Sequence, residues 1–403
     1  MNGKPIHILL IEDNPGDARI FSEMLADIPA GTFRLTWADR LATGLEHLRA
    51  GGVDVALVDL SLPDASDLDT IVQTRRQSPD LPIIVLTGSA SDDNAITALR
   101  AGAQDYLLKG WANSELITRT IRYAIERKRT QAELDRYAHE LQTHNEQIQS
   151  DMLLAKEIQM ALLPQKYPTF PPGTKPEHSP LRFHHHYQPA TFLAGDFFDV
   201  FALNDHTAGL FVCDVMGHGI RASLITAMIR PLVDELTAKA AHPGALLTEI
   251  NRELASILQQ ANSTIFATAF YLVADIAQHE LRYANAGHPT PLHLQRQRDT
   301  ITPLVTDGQH GPALGLFADS TYDTFQRPIE PHDMVFLFTD GLFEIPNATG
   351  DEYGMERLTQ NLRAHLHQPP AELFQTLLQD CRNFSGTQDF PDDICLLSVE
   401  AMR

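Results

Sequence analysis

The chain reads as an α/β doubly wound domain, one long helix, and an α+β domain built as a β-sandwich flanked by helices. Three observations predict this. From Lys4 to about Arg127, short apolar runs alternate with amphipathic segments, the pattern of a parallel sheet with helices on both faces. From Ser114 to Pro164 no glycine or proline interrupts the chain before Pro164 itself, and apolar residues recur every seventh position. Beyond Lys166, strand-like runs dominate and paired helical segments break them up. At 403 residues the chain also exceeds what one core organises.

Composition narrows the function. Apolar residues make up 43% and charged residues 21%, as in a core-forming protein. The formal charge of −21 repels nucleic acid unless a basic patch is segregated. The densest basic run, Arg122 to Arg129, contains Glu126 and reads as a solvated helix face. Cys213, Cys381 and Cys395 are widely separated and form no CxxC pattern, which fits a reduced cytoplasm. The N-terminus enters the strand-like IHILLIED without a signal-type segment, and no apolar stretch approaches the roughly 20 residues that cross a bilayer. The expectation is a cytoplasmic protein with neither nucleic acid nor membrane as partner.

In the first domain the runs IHILLI, VDVALVDL, PIIVLTG and DYLLK are the strands. Helices fall around Asp17 to Leu25, Leu68 to Gln77 and Asp92 to Ala101. Glu12, Asp13, Asp59, Thr87 and Lys109 follow strand ends, and in an open parallel sheet those carboxyl ends meet at the ligand crevice. The acids suit Mg2+, Asp59 suits a nucleophile towards a phosphoryl group, and Thr87 and Lys109 suit the transferred oxygens. On these five positions, residues 4–127 resemble the flavodoxin-like response-regulator receiver family. The resemblance implies that a histidine kinase or other phosphodonor phosphorylates Asp59. It further implies that Glu12 and Asp13 help hold Mg2+ with Asp59, and that Thr87 and Tyr106 form a switch pair. Asp67 stands where the family usually has glycine, a position where a left-handed backbone is expected. Gly110 stands where proline often follows the lysine.

Residues 128–164 form the linker, inside a helix with Ser114 as expected N-cap. Leu134, Leu141, Ile148, Ala155 and Leu162 take heptad position d; Ala138, Asn145, Met152 and Gln159 take a. Asn145 is then a register-setting polar residue in a parallel homodimer. A helix of about 50 residues would run roughly 75 Å. The competing reading packs it back onto its own domain.

The third domain, residues 165–403, opens with a Pro-, Gly- and Thr-rich entry from Lys166 to Ser179. The runs LRFHHHYQPA, GDFFDVFAL, AGLFVCDVM, IFATAFYLVADI, LRYANAG, TPLHL, DMVFLFTDG and ICLLSVE read as strands. Helical patterns cover Arg221 to Ala240, Pro243 to Gln260, Glu356 to His367 and Pro370 to Arg382. Four acidic clusters sit at strand ends and turns: GDFFD (Asp196, Asp199), CDVMGHG (Asp214), FTDG (Asp340) and PDDIC (Asp392, Asp393). Their convergence on one pocket calls for cations, and hard oxygen ligands favour Mg2+ or Mn2+ over zinc. A pair of such ions can activate water against a phosphate ester. Of the triplet His184 to His186, only His184 and His186 share a strand face, and two ligands do not make a metal site.

These clusters, with ALLP at Ala161 to Pro164, NAGHP at Asn285 to Pro289 and PALG at Pro312 to Gly315, resemble the bacterial PPM-type serine/threonine phosphatases of the sporulation-stage-II-E and sigma-B-regulator group. The resemblance implies two or more Mn2+ or Mg2+ ions. Asp196 would be a ligand, Asp214 a bridge between ions, the Val215 carbonyl a ligand of the second ion, and Asp340 and Asp392 the completing ligands. Asp199, Asp393 and Glu344 are acids that orient turns or waters. His218 reads first as a loop residue, and His288 as a turn-forming hydrogen-bond donor. The implied output is dephosphorylation of phosphoserine or phosphothreonine on a STAS-type anti-sigma-factor antagonist, controlled by Asp59. A non-catalytic partner-switching scaffold on the same fold is the competing class. A cyclic-dinucleotide synthase is excluded because AGDFFD lacks the second glycine and the paired acid of its turn, and a DNA-binding output because no basic recognition helix exists.

Overall fold

The computed structural model describes residues 4–65, 67–88, 92–110, 112–236, 240–260, 264–305 and 311–402. They form two compact units, Met1–Gln147 and Ile148–Arg403.

In the first unit the order is β1 (Ile6–Ile11), α1 (Pro15–Ala26), β2 (Phe33–Ala38), α2 (Leu41–Ala50), β3 (Val55–Asp59), α3 (Asp67–Gln77), β4 (Ile83–Thr87), α4 (Asp92–Ala101) and β5 (Asp105–Leu108). All pairings are parallel in the order β2-β1-β3-β4-β5, the doubly wound arrangement expected. The central strands VALVD and IIVLT are buried at every position, which is why they read as unbroken apolar runs. One face packs Leu10 and Leu57 against Phe21, Ile117 and Ile121; the other packs Leu9 and Val58 against Leu48, Ile71 and Ala98. At the start of α1, Asn14 accepts from the Gly16 N–H at 2.9 Å ahead of Pro15, a sequence-coded cap. The edge strand β2 and helix α2 lie where the sequence pattern names no element.

Helix α5 (Ser114–Leu162) is continuous over 49 residues. Its cap is Asn113 rather than Ser114: Asn113 Oδ1 accepts from the Leu116 N–H at 2.8 Å. Heptad positions Leu134, Leu141 and Ile148 are 58%, 67% and 54% exposed, so the single chain leaves them without a covering partner. Gln159 departs from the seam assignment, since it is buried within the second unit.

The second unit is a sandwich of two five-stranded sheets. Its strands are β6 (Leu181–Gln188), β7 (Asp196–Asn204), β8 (Thr207–Val215), β9 (Ala267–Asp275), β10 (Glu280–Ala286), β11 (Leu292–Gln295), β12 (Thr300–Pro303), β13 (Phe325–Pro328), β14 (Met334–Phe338) and β15 (Ile394–Ala401). The helices are α6 (Ile220–Glu235), α7 (Pro243–Gln260), α8 (Gly354–Ala364) and α9 (Pro370–Ser385). The sheets run β13-β10-β9-β8-β7 and β12-β11-β14-β15-β6, antiparallel throughout. One core joins the two sheets to α6 and α7 through Phe211, Phe270, Leu337, Leu397, Ile229 and Leu254. A second core sets Phe336, Phe338 and Leu396 against Leu362, Phe374 and Leu377 of α8 and α9. Strands β12 and β13 are short edge strands that the sequence pattern does not name. Among the described residues no helix is long and apolar enough to cross a membrane.

Candidate functional sites

The receiver pocket forms at the carboxyl ends of β1, β3, β4 and β5. Oxygens of Glu12, Asp13 and Asp59 lie within 4.8 Å of one another, a spacing that suits one hard cation. Lys109, just past β5, reaches into the group: its Nζ lies 2.6 Å from Glu12 Oε2, 2.9 Å from Asp59 Oδ2 and 3.2 Å from Asp17 Oδ2. Asp17 on α1 is a fourth acid, which the sequence pattern marks only as a helix start. Burial alone would lower the Lys109 ammonium, but the bonds to Glu12 and Asp59 win and hold it above the ordinary lysine range. Burial raises the Glu12 carboxyl, against the pull of Lys109. The Lys109 N–H donates to the Thr87 carbonyl at 2.8 Å, locking the two strand ends together. Thr87 is buried while Tyr106 is exposed, so the two expected switch residues occupy different environments. Gly110 adopts φ +88°, a conformation closed to proline, so glycine there matches the backbone. Asp67 begins α3, so no left-handed turn is needed at that residue.

In the second unit the hairpin β7–β8 brings the first two acids together. Asp196, the first residue of β7, stands directly opposite Asp214 near the end of β8. Asp340 opens a 3₁₀ turn (Asp340–Leu342) after β14, and Asp392 precedes β15. Burial raises the Asp196 carboxyl well above its ordinary value, and Asp214 raises it further. Asp214 is pushed up to about 8 by burial and by the charges of Asp340, Asp392 and Asp393. Asp340 is raised by burial and by Asp392. These mutual effects put Asp196, Asp214, Asp340 and Asp392 around one space. The cluster is wider than the receiver group: among the described residues, only Glu12, Asp13 and Asp59 gather within 4.8 Å. A set of carboxylates and carbonyls with raised proton affinity fits hard divalent cations.

The supporting residues are largely invisible in the sequence. Thr339 is fully buried; its hydroxyl donates to Asp196 Oδ2 at 2.7 Å and accepts from the Cys395 N–H at 3.0 Å, so it ties β14 and β15 to a carboxylate on the other sheet. Asp393 accepts from Ala190 N at 2.7 Å and Gly195 N at 2.6 Å, which makes it a turn-holding residue. Gln159 near the end of α5 pairs with both main-chain groups of Ala194, donating to its carbonyl at 2.7 Å and accepting from its N–H at 3.0 Å. Arg230 on α6 donates to the Leu162 carbonyl at 2.8 Å and pairs with Asp199 at 3.2 Å, which takes Asp199 out of the acidic basin. Glycines close the floor. A methyl group on Gly341 would lie 2.0 Å from the Asp393 carbonyl oxygen, and one on Gly195 would lie 2.7 Å from the carbonyl oxygens of Val215 and Gly217. Val215 O thereby lies against Gly195, the residue before Asp196.

The remaining candidates are structural or peripheral. His218 is exposed on the loop after β8. Buried His288 donates its N–H to Asn285 Oδ1 at 2.8 Å and bonds Thr268 through Nδ1 at 2.9 Å, a turn residue as expected; burial lowers its ring to about 3. Glu344 is exposed at the rim, its carboxyl raised by burial and by Asp340. Of the histidine triplet, His185 meets the Tyr167 hydroxyl while His186 lies near Gln188 at 3.5 Å, and no metal group forms among them in the described residues.

Comparison with known proteins agrees with the two folds. The profile described as response regulator receiver domain matches residues 8–121, and that described as stage II sporulation protein E (SpoIIE) matches residues 204–401. The chain is 28% identical over 216 residues to the phosphoserine phosphatase RsbP and 29% identical over 206 residues to the phosphoserine phosphatase RsbU, both of Bacillus subtilis (strain 168). Those matches cover 53% and 51% of this chain, and 51% and 57% of the relatives, so the chain spans about half the length of each. The SiaA-PP2C domain of Pseudomonas aeruginosa superposes with a TM-score of 0.54 at 24% identity, covering 64% of this chain and 98% of that one, a likeness of fold. A parallel α/β sheet with an acid–lysine pocket, then a sandwich with an acidic basin at its strand ends, make this chain a response-regulator receiver domain fused to a SpoIIE-type PPM phosphatase domain.

Proposed function

We propose that the chain is a response regulator whose output is metal-dependent hydrolysis of phosphoserine or phosphothreonine on a protein. The observation that carries this is the convergence of Asp196, Asp214, Asp340 and Asp392 on one basin, where burial and the neighbouring charges raise the carboxyls of Asp196, Asp214 and Asp340. Asp196, Asp214, the Val215 carbonyl, Asp340 and Asp392 are the residues that would hold the ions. When bound, such ions supply an acidified water and offset phosphoryl charge. The chain's own part is positional. Thr339 fixes the Asp196 carboxylate, and the β7–β8 register fixes Asp214 opposite it, where it would serve the ions as a carboxylate.

The substrate of this reading is a phosphorylated anti-sigma-factor antagonist of the STAS type, in keeping with the phosphoserine phosphatases among the relatives. Upstream, Asp59 accepts a phosphoryl group from a histidine kinase, with Glu12, Asp13 and Asp59 holding Mg2+. The exposed heptad residues Leu134, Leu141 and Ile148 support a homodimer through α5.

The test is Mn2+-dependent hydrolysis of p-nitrophenyl phosphate and of a phosphoserine-bearing antagonist protein by full-length protein. Turnover that chelation abolishes is expected. No turnover from phosphorylated, dimeric protein would leave the scaffold reading in its place. Control by the receiver is tested separately: beryllofluoride should change the rate of the wild type and not that of Asp59→Asn.

A further inference from the structure

Away from the acidic basin, the entry segment after α5 folds over the edge strand β6 and encloses a half-open cavity of about 500 Å3. Its wall is apolar at Tyr167, Leu181 and Phe183, and cationic at Lys166 and Arg182, with Glu177 as the acidic neighbour. The size and lining match small-molecule sites, which are mainly apolar with a few placed polar groups. Arg182 is held at the wall, because its Nη2 donates to the Glu177 carbonyl. Its Nε is shut off from solvent without a hydrogen-bond partner. A guanidinium donor left in that state destabilises the wall until an acceptor reaches it.

The guanidinium fork selects that acceptor. Arginine presents parallel N–H groups that suit a planar carboxylate, and here the donor stands beside a hydrophobic wall. Lys166 and Arg182 are the lysine and arginine of the cavity lining, beside the acidic Glu177. We infer that this cavity binds a small amphipathic monocarboxylate, its apolar body against Tyr167, Leu181 and Phe183 and its carboxylate on Arg182. The body is a medium-length acyl chain or a phenyl group, since both give an apolar volume with one anionic end. An occupant contacts the segment that begins directly after α5, so the site would let a metabolite bear on the helix–sandwich junction.

Isothermal titration of the full-length protein with octanoate and with 3-phenylpropionate tests the inference, and the arm that binds tells acyl from aryl. Saturable 1:1 binding of at least one acid is expected, with 1-octanol or 3-phenylpropanol at least tenfold weaker. Arg182→Gln should weaken acid binding tenfold or more, and Thr169→Trp, which fills the cavity, should abolish it. Both variants are checked for a wild-type melting profile, and either one alone is decisive if the other fails to fold. The inference is overturned if neither acid binds, if the neutral alcohols bind equally well, or if a folded variant binds like the wild type.

Discussion

The two acidic sites of this chain solve the same electrostatic problem in opposite ways. In the receiver pocket a lysine is built into the fold: Lys109 bonds Glu12, Asp17 and Asp59. In the sandwich the described donors beside the acids are chiefly Thr339 and main-chain N–H groups, with the exposed His218 acting on Asp393, and the proton affinities of Asp196 and Asp214 are both raised. A pocket with its own cation has part of its charge offset before any phosphoryl group or metal ion arrives. A pocket without one depends, in the proposed reading, on added divalent ions for the whole of that offset. Acidic clusters alike in sequence thus differ in whether the fold supplies a lysine to offset them.

Asp214→Asn puts this contrast under the greatest strain. Catalysis should fall at least about 1,000-fold, about 4 kcal/mol of barrier, measured on p-nitrophenyl phosphate. In chelator above about pH 8, where the Asp214 carboxyl is ionised, the same variant should melt higher than the wild type, because a repelling charge is gone. A lower melting temperature would mean that the basin is charge-balanced after all.

Next comes pH. Folding raises the Asp214 carboxyl from 3.8 to about 8, so the folded state binds the proton more tightly than the unfolded chain. Its stabilising contribution is therefore complete below 3.8 and is lost as pH climbs through about 8. Chelated protein should lose stability across that window with a slope approaching 1.4 kcal/mol per pH unit for one group, about the value of a single pKa unit. Urea melts from pH 5 to 8 measure it, and added Mn2+ should flatten the trend.

The receiver offers the converse test. Lys109→Met leaves Glu12 and Asp59 without their cation and should cost about 3 kcal/mol of receiver stability, as expected when one partner of a buried pair is removed. Mg2+ should recover much of that loss, making the receiver behave like the sandwich. A receiver that melts unchanged would show that Lys109 is not the balancing charge. The smallest effect belongs to Thr339→Val, which removes the donor to Asp196 and the acceptor for Cys395 N at nearly constant volume. About 1–3 kcal/mol is expected, with a weaker Mn2+ dependence of rate as the readout that a packing role would not move.

Much of this is legible in the sequence, for physical reasons. Asp196, Asp214, Asp340 and Asp392 announce themselves because a charged residue at the end of a buried apolar strand has few structural uses. The doubly wound order follows from runs such as VALVD and IIVLT, buried on both faces. Other features escape. Thr339 sits inside FTDG, yet nothing in a local motif shows that its hydroxyl crosses to the opposite sheet. Gln159 continues the seven-residue period by count, but tertiary packing turns it towards Ala194. Strands β2, β12 and β13 are edge strands whose partly exposed pattern resembles loop, and the last two are only four residues long. The left-handed backbone at Gly110 likewise has no signature in the residues around it.

The contacts at Gly341 and Gly195 bear on how such a domain can be reused. Where a methyl group would lie 2.0 Å or 2.7 Å from a carbonyl oxygen, main chain rests directly on main chain. The spacing of the acids is then set by the skeleton of the sandwich, and the outer side chains have little hold over it. Sensors can be exchanged at one end and targets at the other while the chemistry keeps its gauge, which makes the domain a portable component. The converse is a narrow point of failure: alanine at either glycine should silence it whatever input it is wired to.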